Sequence, residues 1–264
     1  MNINQAKEIT KEIFIHDPKL VVCWVGGSGL GKTTMARALA EELAKPLVYA
    51  PIRTEDAMGL NMPNTARTSI EFMPHKRMAD AIKKPSMIYL DEVNRVDRQS
   101  RTALMELLGE RTIGGKPINA GTNILLTLND ESENYDTIEG DKAFKTRCIP
   151  IPVYFDANIS IAYAKGKGFK RMEQFLIKNP QVLNEKLTWN MKVDTRFLEY
   201  LDRLSQVNSI PVSLYNEVVN FSLEKNVAGA FFKEAGKENI LNTLRAGGSM
   251  ADLLAEISNE AVGS

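Results

Sequence analysis

The sequence predicts an α/β core, a parallel sheet with helices on both faces, followed by an all-helical domain. Three observations carry this expectation. Short apolar runs rich in β-branched residues alternate with helix-period segments through the first half of the chain, as in sheets whose strands are buried on both faces by crossover helices. A glycine-dense turn, Gly26 to Gly31, separates the first such run from a strong helix. After Asp156 the strand candidates stop and only helix-period segments recur. The expected domains are therefore a core of residues 1–155 and a helical domain of 156–264, sizes normal for a major and a minor domain.

The elements follow in order. Asn2 to Phe14 places Ile3, Ala6, Ile9 and Ile13 on one helical stripe, which His16-Asp17-Pro18 ends. Leu20 to Val25 is an apolar strand. Thr33 to Ala44 sets Met35, Leu39 and Leu43 four apart beside Ala36, Ala40 and Ala44, a helix stopped by Lys45-Pro46. Leu47 to Ala50 is a second strand, and a polar stretch punctuated by Gly59, Pro63 and Pro74 follows it. Ser86 to Leu90 is a third strand ending on Asp91-Glu92. Asp97 is placed to cap a helix running to Leu108, with Leu104, Leu107 and Leu108 as its buried stripe. Thr112 to Ile118 reads as a hairpin, because Gly114-Gly115 supplies the positive φ of a tight turn. Ile124 to Leu128 and Ile149 to Val153 are the last strands. Phe169 to Ile177, Arg196 to Leu204, Val212 to Leu223 and Met250 to Ile257 are the helices of the second domain.

Composition narrows the function classes. Among 264 residues, 33 Lys and Arg balance 33 Asp and Glu, which argues against a protein that coats nucleic acid through bulk charge. The longest apolar run, Leu20 to Val25, is far short of the ~20 residues that span a bilayer. The start, Met-Asn-Ile-Asn-Gln, has neither basic nor apolar secretory features, so the expected location is cytoplasmic, without a membrane. Cys23 and Cys148 make no disulfide framework, and His16 and His75 stand apart from any zinc-ligand spacing. Lys165 to Arg171, basic with Phe169 among it, reads as a solvated loop rather than a nucleic-acid strip.

Two motifs carry chemistry. Gly26-Gly27-Ser28-Gly29-Leu30-Gly31-Lys32-Thr33 fits G-x-x-x-x-G-K-[ST], with a strand before it and a helix after it. Such glycines let successive backbone amides converge on phosphate oxygens, and the helix N-terminus adds a favourable dipole. The expected nucleotide contacts are Gly27, Ser28, Gly29, Leu30, Gly31, Lys32, Thr33 and Thr34. Lys32 reaches the β- and γ-phosphates, and the Thr33 hydroxyl is a ligand for Mg2+. The second motif is Met87 to Glu92, an apolar strand delivering two carboxylates at its C-terminal end, the edge where open α/β sheets bind ligands. Asp91 is the expected magnesium residue, acting mostly through water. Glu92 is the candidate base for an attacking water.

With these residues in place the chain resembles the AAA+ ATPases, and within them the MoxR-like branch, over residues 20 to 200. Asp91-Glu92-Val93-Asn94-Arg95 is similar to that branch's acidic strand end and Asn-Arg pair, and Leu104 to Ile113 to its next helix and hairpin. The resemblance places Asn129, after Leu126-Thr127-Leu128, as sensor 1 at the γ-phosphate, where an amide orients water without adding charge. It places Arg147 as the arginine finger acting on a neighbouring subunit's nucleotide. Thr146 stands where the family carries Asp and Cys148 where it carries an aromatic, which leaves Lys145 as a competitor. Arg196 matches the sensor 2 start, with Asp194-Thr195 replacing the usual Ser-Pro. Glu71 to His75 resembles part of the family's insertion, with pore or substrate loops expected there or near Asp56 to Leu60.

The resemblance implies an AAA+ core with a helical lid that hydrolyses ATP with Mg2+. It further implies a homo-oligomeric ring, expected to be a hexamer, that remodels a protein client, often one with a von Willebrand factor A domain. Catalysis would rest on Glu92, Asn129, Arg147 and Arg196. Three alternatives stay open: a GTP-driven motor like that of modification-dependent restriction systems, a nucleic-acid-associated motor or loader, and a small-molecule kinase on the same phosphate loop.

Overall fold

A computed structural model describes residues 1–51, 59–63, 70–96, 98–129, 142–180 and 195–205. The chain divides into two compact units, Met1–Phe155 and Asp156–Ser264. No helix among the described residues is long and apolar enough to cross a membrane.

The first helix, α1 (Ile3–His16), starts on a reciprocal cap. The Asn2 side chain accepts from Gln5 N at 3.0 Å, and the Gln5 side chain accepts from Asn2 N at 3.0 Å. Its buried stripe is Ile3, Ala6, Thr10 and Phe14, not the predicted Ile3, Ala6, Ile9 and Ile13; Ile9 is 43% exposed. The helix is rotated because Thr10 has a buried partner. Trp24 Nε1 donates to the Thr10 hydroxyl at 2.8 Å, and that hydroxyl donates to Ala6 O at 2.7 Å. This arrangement satisfies the indole N–H of a fully buried tryptophan.

Five strands form the parallel sheet: β1 (Val21–Val25), β2 (Leu47–Pro51), β5 (Met87–Asp91), β8 (Asn123–Leu128) and β9 (Ile149–Pro152). Their spatial order is β2-β5-β8-β1-β9. β1 lies between β8 and β9, with Val25 opposite both Leu128 and Pro152, and Leu90 of β5 lies opposite Leu126 of β8. Since all five run the same way, the segments after β5, β8 and β1 leave from one edge. The core beneath them joins Cys23, Ile88, Leu90, Leu126 and Leu128 to Leu104, Leu107 and Leu108. Those leucines come from α4 (Arg98–Glu110), with the stripe that was predicted; Asp97, the predicted cap, lies outside the described residues.

The polar stretch after β2, punctuated by Gly59, Pro63 and Pro74, contains structure. β3 (Gly59–Pro63) and β4 (Ile70–Pro74) pair antiparallel, and α3 (Lys76–Lys83) follows with Met78 and Ala81 fully buried. β6 (Thr112–Ile113) and β7 (Lys116–Pro117) form the expected hairpin, with Gly114 and Gly115 at φ 56° and 73°. α2 (Lys32–Glu42) follows β1, and α5 (Lys142–Lys145) precedes β9. Glu42 of α2 is hydrogen-bonded by Lys7 and by Lys11, the latter at 2.8 Å, so α1 is tied to α2.

Within the second unit the described elements are α6 (Ala157–Lys167), α7 (Lys170–Lys178) and α8 (Thr195–Ser205). The basic run Lys165 to Arg171 is not a loop. Lys165 and Lys167 end α6, Gly168 caps it in the left-handed region at φ 75°, and Lys170 opens α7. The Asp202 carboxylate of α8, almost fully buried, accepts from Met172 N of α7 at 2.8 Å. The predicted helices Val212 to Leu223 and Met250 to Ile257 lie outside the described residues.

Candidate functional site

The turn between β1 and α2 is shaped by its glycines. Gly29 and Gly31 have φ of 73° and 81°, a region that side chains disfavour. Gly26 answers to space instead: a β-carbon there would lie 2.2 Å from Val153 O. Its own amide donates to Leu128 O at 3.1 Å, so the turn is held between the ends of β8 and β9. Ser28 and Thr34 are exposed, Gly27, Leu30 and Thr33 partly buried. α2 begins at Lys32, so the amides of its first turn, which have no intrahelical acceptor, and its positive dipole end lie at this turn.

Lys32 is 7% exposed. Its ammonium donates to Gly26 O at 2.6 Å, Gly27 O at 2.7 Å and Asn129 Oδ1 at 2.8 Å, an acceptor for each of its three protons. The other end of the Asn129 amide donates to Glu92 Oε1 at 3.2 Å. One side chain from the end of β8 thus connects the lysine after β1 to the carboxylate after β5. Asn94 Nδ2 in turn donates to Asn129 O at 3.1 Å. Glu92 itself holds a left-handed backbone, φ 53° and ψ 47°, which costs a residue with a β-carbon roughly 1–2 kcal/mol. Strain of this kind concentrates where a side chain must be aimed.

Beside this chain stands a group of hydroxyls around Asp91. Thr33 donates to Asp91 Oδ2 at 3.2 Å, Thr127 to Oδ1 at 2.6 Å, and Tyr89 to Oδ1 at 3.0 Å. Thr127 also accepts from Glu92 N at 3.0 Å, so it fixes both consecutive acids. Burial, and then the Asp91 charge, push the Tyr89 phenol well above its usual range, keeping it a neutral donor. Thr127 and Tyr89 were not among the predicted site residues. The signal for Thr127 is a lone hydroxyl inside the apolar run of β8, and for Tyr89 a spacing of two from Asp91, which puts both on one sheet face.

The donor set fits magnesium. The Thr33 hydroxyl and the Asp91 carboxylate are hard oxygen ligands, held together by a direct hydrogen bond. Magnesium is ordinarily bound by one or two protein oxygens, with phosphates and waters completing its octahedron.

The remaining predicted residues stand elsewhere. Arg147 is exposed just before β9; its guanidinium donates to Ala143 O at 2.8 Å and lies where a β-carbon on Gly109 would touch it, 2.9 Å from Nε. Lys145, its competitor, ends α5 and is exposed. Arg196 is exposed in the first turn of α8, inside the second unit. Of the expected insertion segments, residues 56–58 lie outside the described residues, Gly59 and Leu60 open β3, and Glu71 to Pro74 lie in β4.

Comparison with known proteins finds similarity over the core that carries this site. Residues 21–148 match the AAA domain (dynein-related subfamily). The Lon proteases of two Helicobacter pylori strains are 33% identical over 96 residues, covering 33% of this chain and 11% of each protease. A RuvB mutant from Thermogota maritima superposes with a TM-score of 0.50 at 12% identity, covering 88% of this chain and 67% of that one, a likeness of fold. NtrX from Brucella abortus, in complex with ADP, gives a TM-score of 0.48 at 15% identity over 97% and 67% of the two chains. The five-stranded parallel sheet with the phosphate loop at its carboxyl edge has the AAA+ P-loop fold, and residues 21–148 are similar to an AAA domain.

Proposed function

We propose that this protein is a magnesium-dependent ATP hydrolase of the MoxR-like kind, working in the cytoplasm as a ring that remodels a partner protein. The observation that carries the hydrolase reading is the chain from Lys32 through Asn129 to Glu92, adjoining the Thr33–Asp91 pair. A phosphate-binding cation, a neutral amide and a carboxylate in hydrogen-bonded sequence are the parts water needs to attack a terminal phosphoryl group.

Each residue has a defined task in this reading. The amides of Gly27 to Thr34 bind phosphate oxygens at the start of α2, and Lys32 balances the charge of the β- and γ-phosphates. Glu92 accepts the proton of the attacking water, and its strained backbone aims it at that task. Asn129 orients that water through its amide. Magnesium, when bound at Thr33 and Asp91, neutralises charge on the β- and γ-phosphates. Arg147, exposed, serves the nucleotide of a neighbouring subunit, and Arg196 couples the helical domain to the nucleotide state. A finger supplied in trans is worth roughly 10³–10⁵ in rate, so assembly and turnover are coupled. The client is a protein, with a von Willebrand factor A domain as the first candidate.

The deciding experiment is calorimetric titration with magnesium and ATP, followed by turnover of ATP and GTP side by side. Heat of binding with faster ATP turnover supports the proposal. Preference for GTP replaces the nucleotide, and no heat with either removes the hydrolase reading altogether.

A further inference from the structure

Tyr89 is the last residue of β5 before Asp91 that shares its face, and it is fully buried. Its ring stacks on Tyr49 of β2, centroids 5.7 Å apart and planes at 27°, which fixes the direction of its hydroxyl. That oxygen lies 3.0 Å from Asp91 Oδ1 and 3.3 Å from the Thr33 hydroxyl, between the two residues assigned to magnesium. A phenol has one proton to give. The carboxylate is both the nearer and the charged acceptor, and charge-assisted bonds are about twice as strong as neutral ones, so Asp91 Oδ1 takes it.

This choice has a stereochemical consequence. With Thr127 at 2.6 Å, Oδ1 of Asp91 accepts from two hydroxyls, whereas Oδ2 faces the Thr33 hydroxyl at 3.2 Å. The carboxylate is thereby clamped at one oxygen, and the other is turned toward Thr33. Thr33 spends its proton on Oδ2 and keeps its lone pairs free of the phenol proton, the condition for acting as a metal ligand.

We propose that Tyr89 is a positioning residue for magnesium: its phenol fixes which Asp91 oxygen faces the cation and keeps the Thr33 hydroxyl available to it. The inference rests on the proposed magnesium–nucleotide site, and it adds a residue reaching that site from within the sheet. Partners that orient metal ligands typically contribute 10–100-fold to metal affinity.

The test is calorimetric titration of the full chain with the ATP analogue AMP-PNP at rising MgCl2, and again in EDTA, for wild type and Tyr89→Phe. The Phe variant retains the ring against Tyr49 and loses only the hydroxyl. The expected result is an MgCl2 requirement raised about tenfold, with metal-free AMP-PNP affinity unchanged. A magnesium response in wild type with the same midpoint in Tyr89→Phe overturns this inference and leaves the hydrolase reading standing. Loss of metal-free binding in the variant also overturns it, because the phenol then acts on the fold. If magnesium does not alter AMP-PNP affinity in wild type, both readings go.

Discussion

Lys32 and Asn129 are bonded directly, Nζ to Oδ1 at 2.8 Å, although 97 residues separate them in the chain. The contact depends on β1 and β8 being neighbours, with Val25 opposite Leu128, so that both strands end level. The lysine that would meet phosphate is therefore already in register with the amide that would orient water.

Lys32→Ala removes this cation and leaves the carbonyls of Gly26 and Gly27 without their donor. Nucleotide binding is expected to fall below calorimetric detection while the circular dichroism spectrum is retained. Binding within threefold of wild type would take Lys32 out of the phosphate site.

Glu92→Gln keeps the size of the side chain and loses the base. Affinity for ATP should change less than about threefold, with turnover down by roughly 10²–10⁴, the range contributed by a positioned base. Single-turnover kinetics provide the measurement, and ordinary turnover in the variant would reassign the base.

Gly26→Ala places a β-carbon 2.2 Å from a backbone oxygen, Val153 O, which has no rotamer by which to yield. Overpacking of this kind costs about 1–3 kcal/mol, read as a lower urea midpoint together with weaker nucleotide binding. An unchanged midpoint would show that the loop and the end of β9 separate freely.

Arg147→Ala should leave nucleotide affinity intact and abolish the rise of specific activity with protein concentration that a trans finger implies. Wild-type specific activity that stays flat across dilution would argue that no neighbour contributes. Lys145→Ala is the companion variant, expected to be near normal.

Glu42 gives a pH dependence. Lys11, and then Lys7, hold its carboxyl down at about 2, against 4.5 for the free group. The charged contact stabilises the fold above pH 4.5, and its contribution is lost as pH falls through 2. Because the groups are at the surface the effect is small and salt-screened. Urea midpoints of wild type and Glu42→Gln should differ at pH 7 and converge toward pH 2 or in 0.5 M salt.

The parts of the site whose chemistry dictates residue type at fixed spacing were legible from sequence. Gly29, Gly31 and Lys32 follow from phosphate binding, Asp91 and Glu92 from their place after an apolar run, and Asn129 from the resemblance. Thr127 and Tyr89 were not, because each reads as an ordinary strand residue until the pairing of β5 with β8 brings Asp91 and Thr127 together. The same cause hid the true face of α1: a 3.6-residue period identifies a helix, but the buried Trp24–Thr10 bond chooses its rotation. Helix α6 escaped because Lys165, Gly166 and Lys167 carry solvent-loving composition to its end, and the stop is made by Gly168 alone.

The strand β9, Ile149-Pro150-Ile151-Pro152, borders the sheet. Val153 N donates to Val25 O at 2.7 Å, so amides of odd-numbered residues face β1 and even-numbered positions face outward. Both outward positions are prolines, which have no N–H to offer, and the Pro152 carbonyl already accepts from the Met1 amino group at 3.2 Å. A foreign strand therefore finds no backbone N–H to pair with along the outer side of β9, which blunts edge-to-edge aggregation.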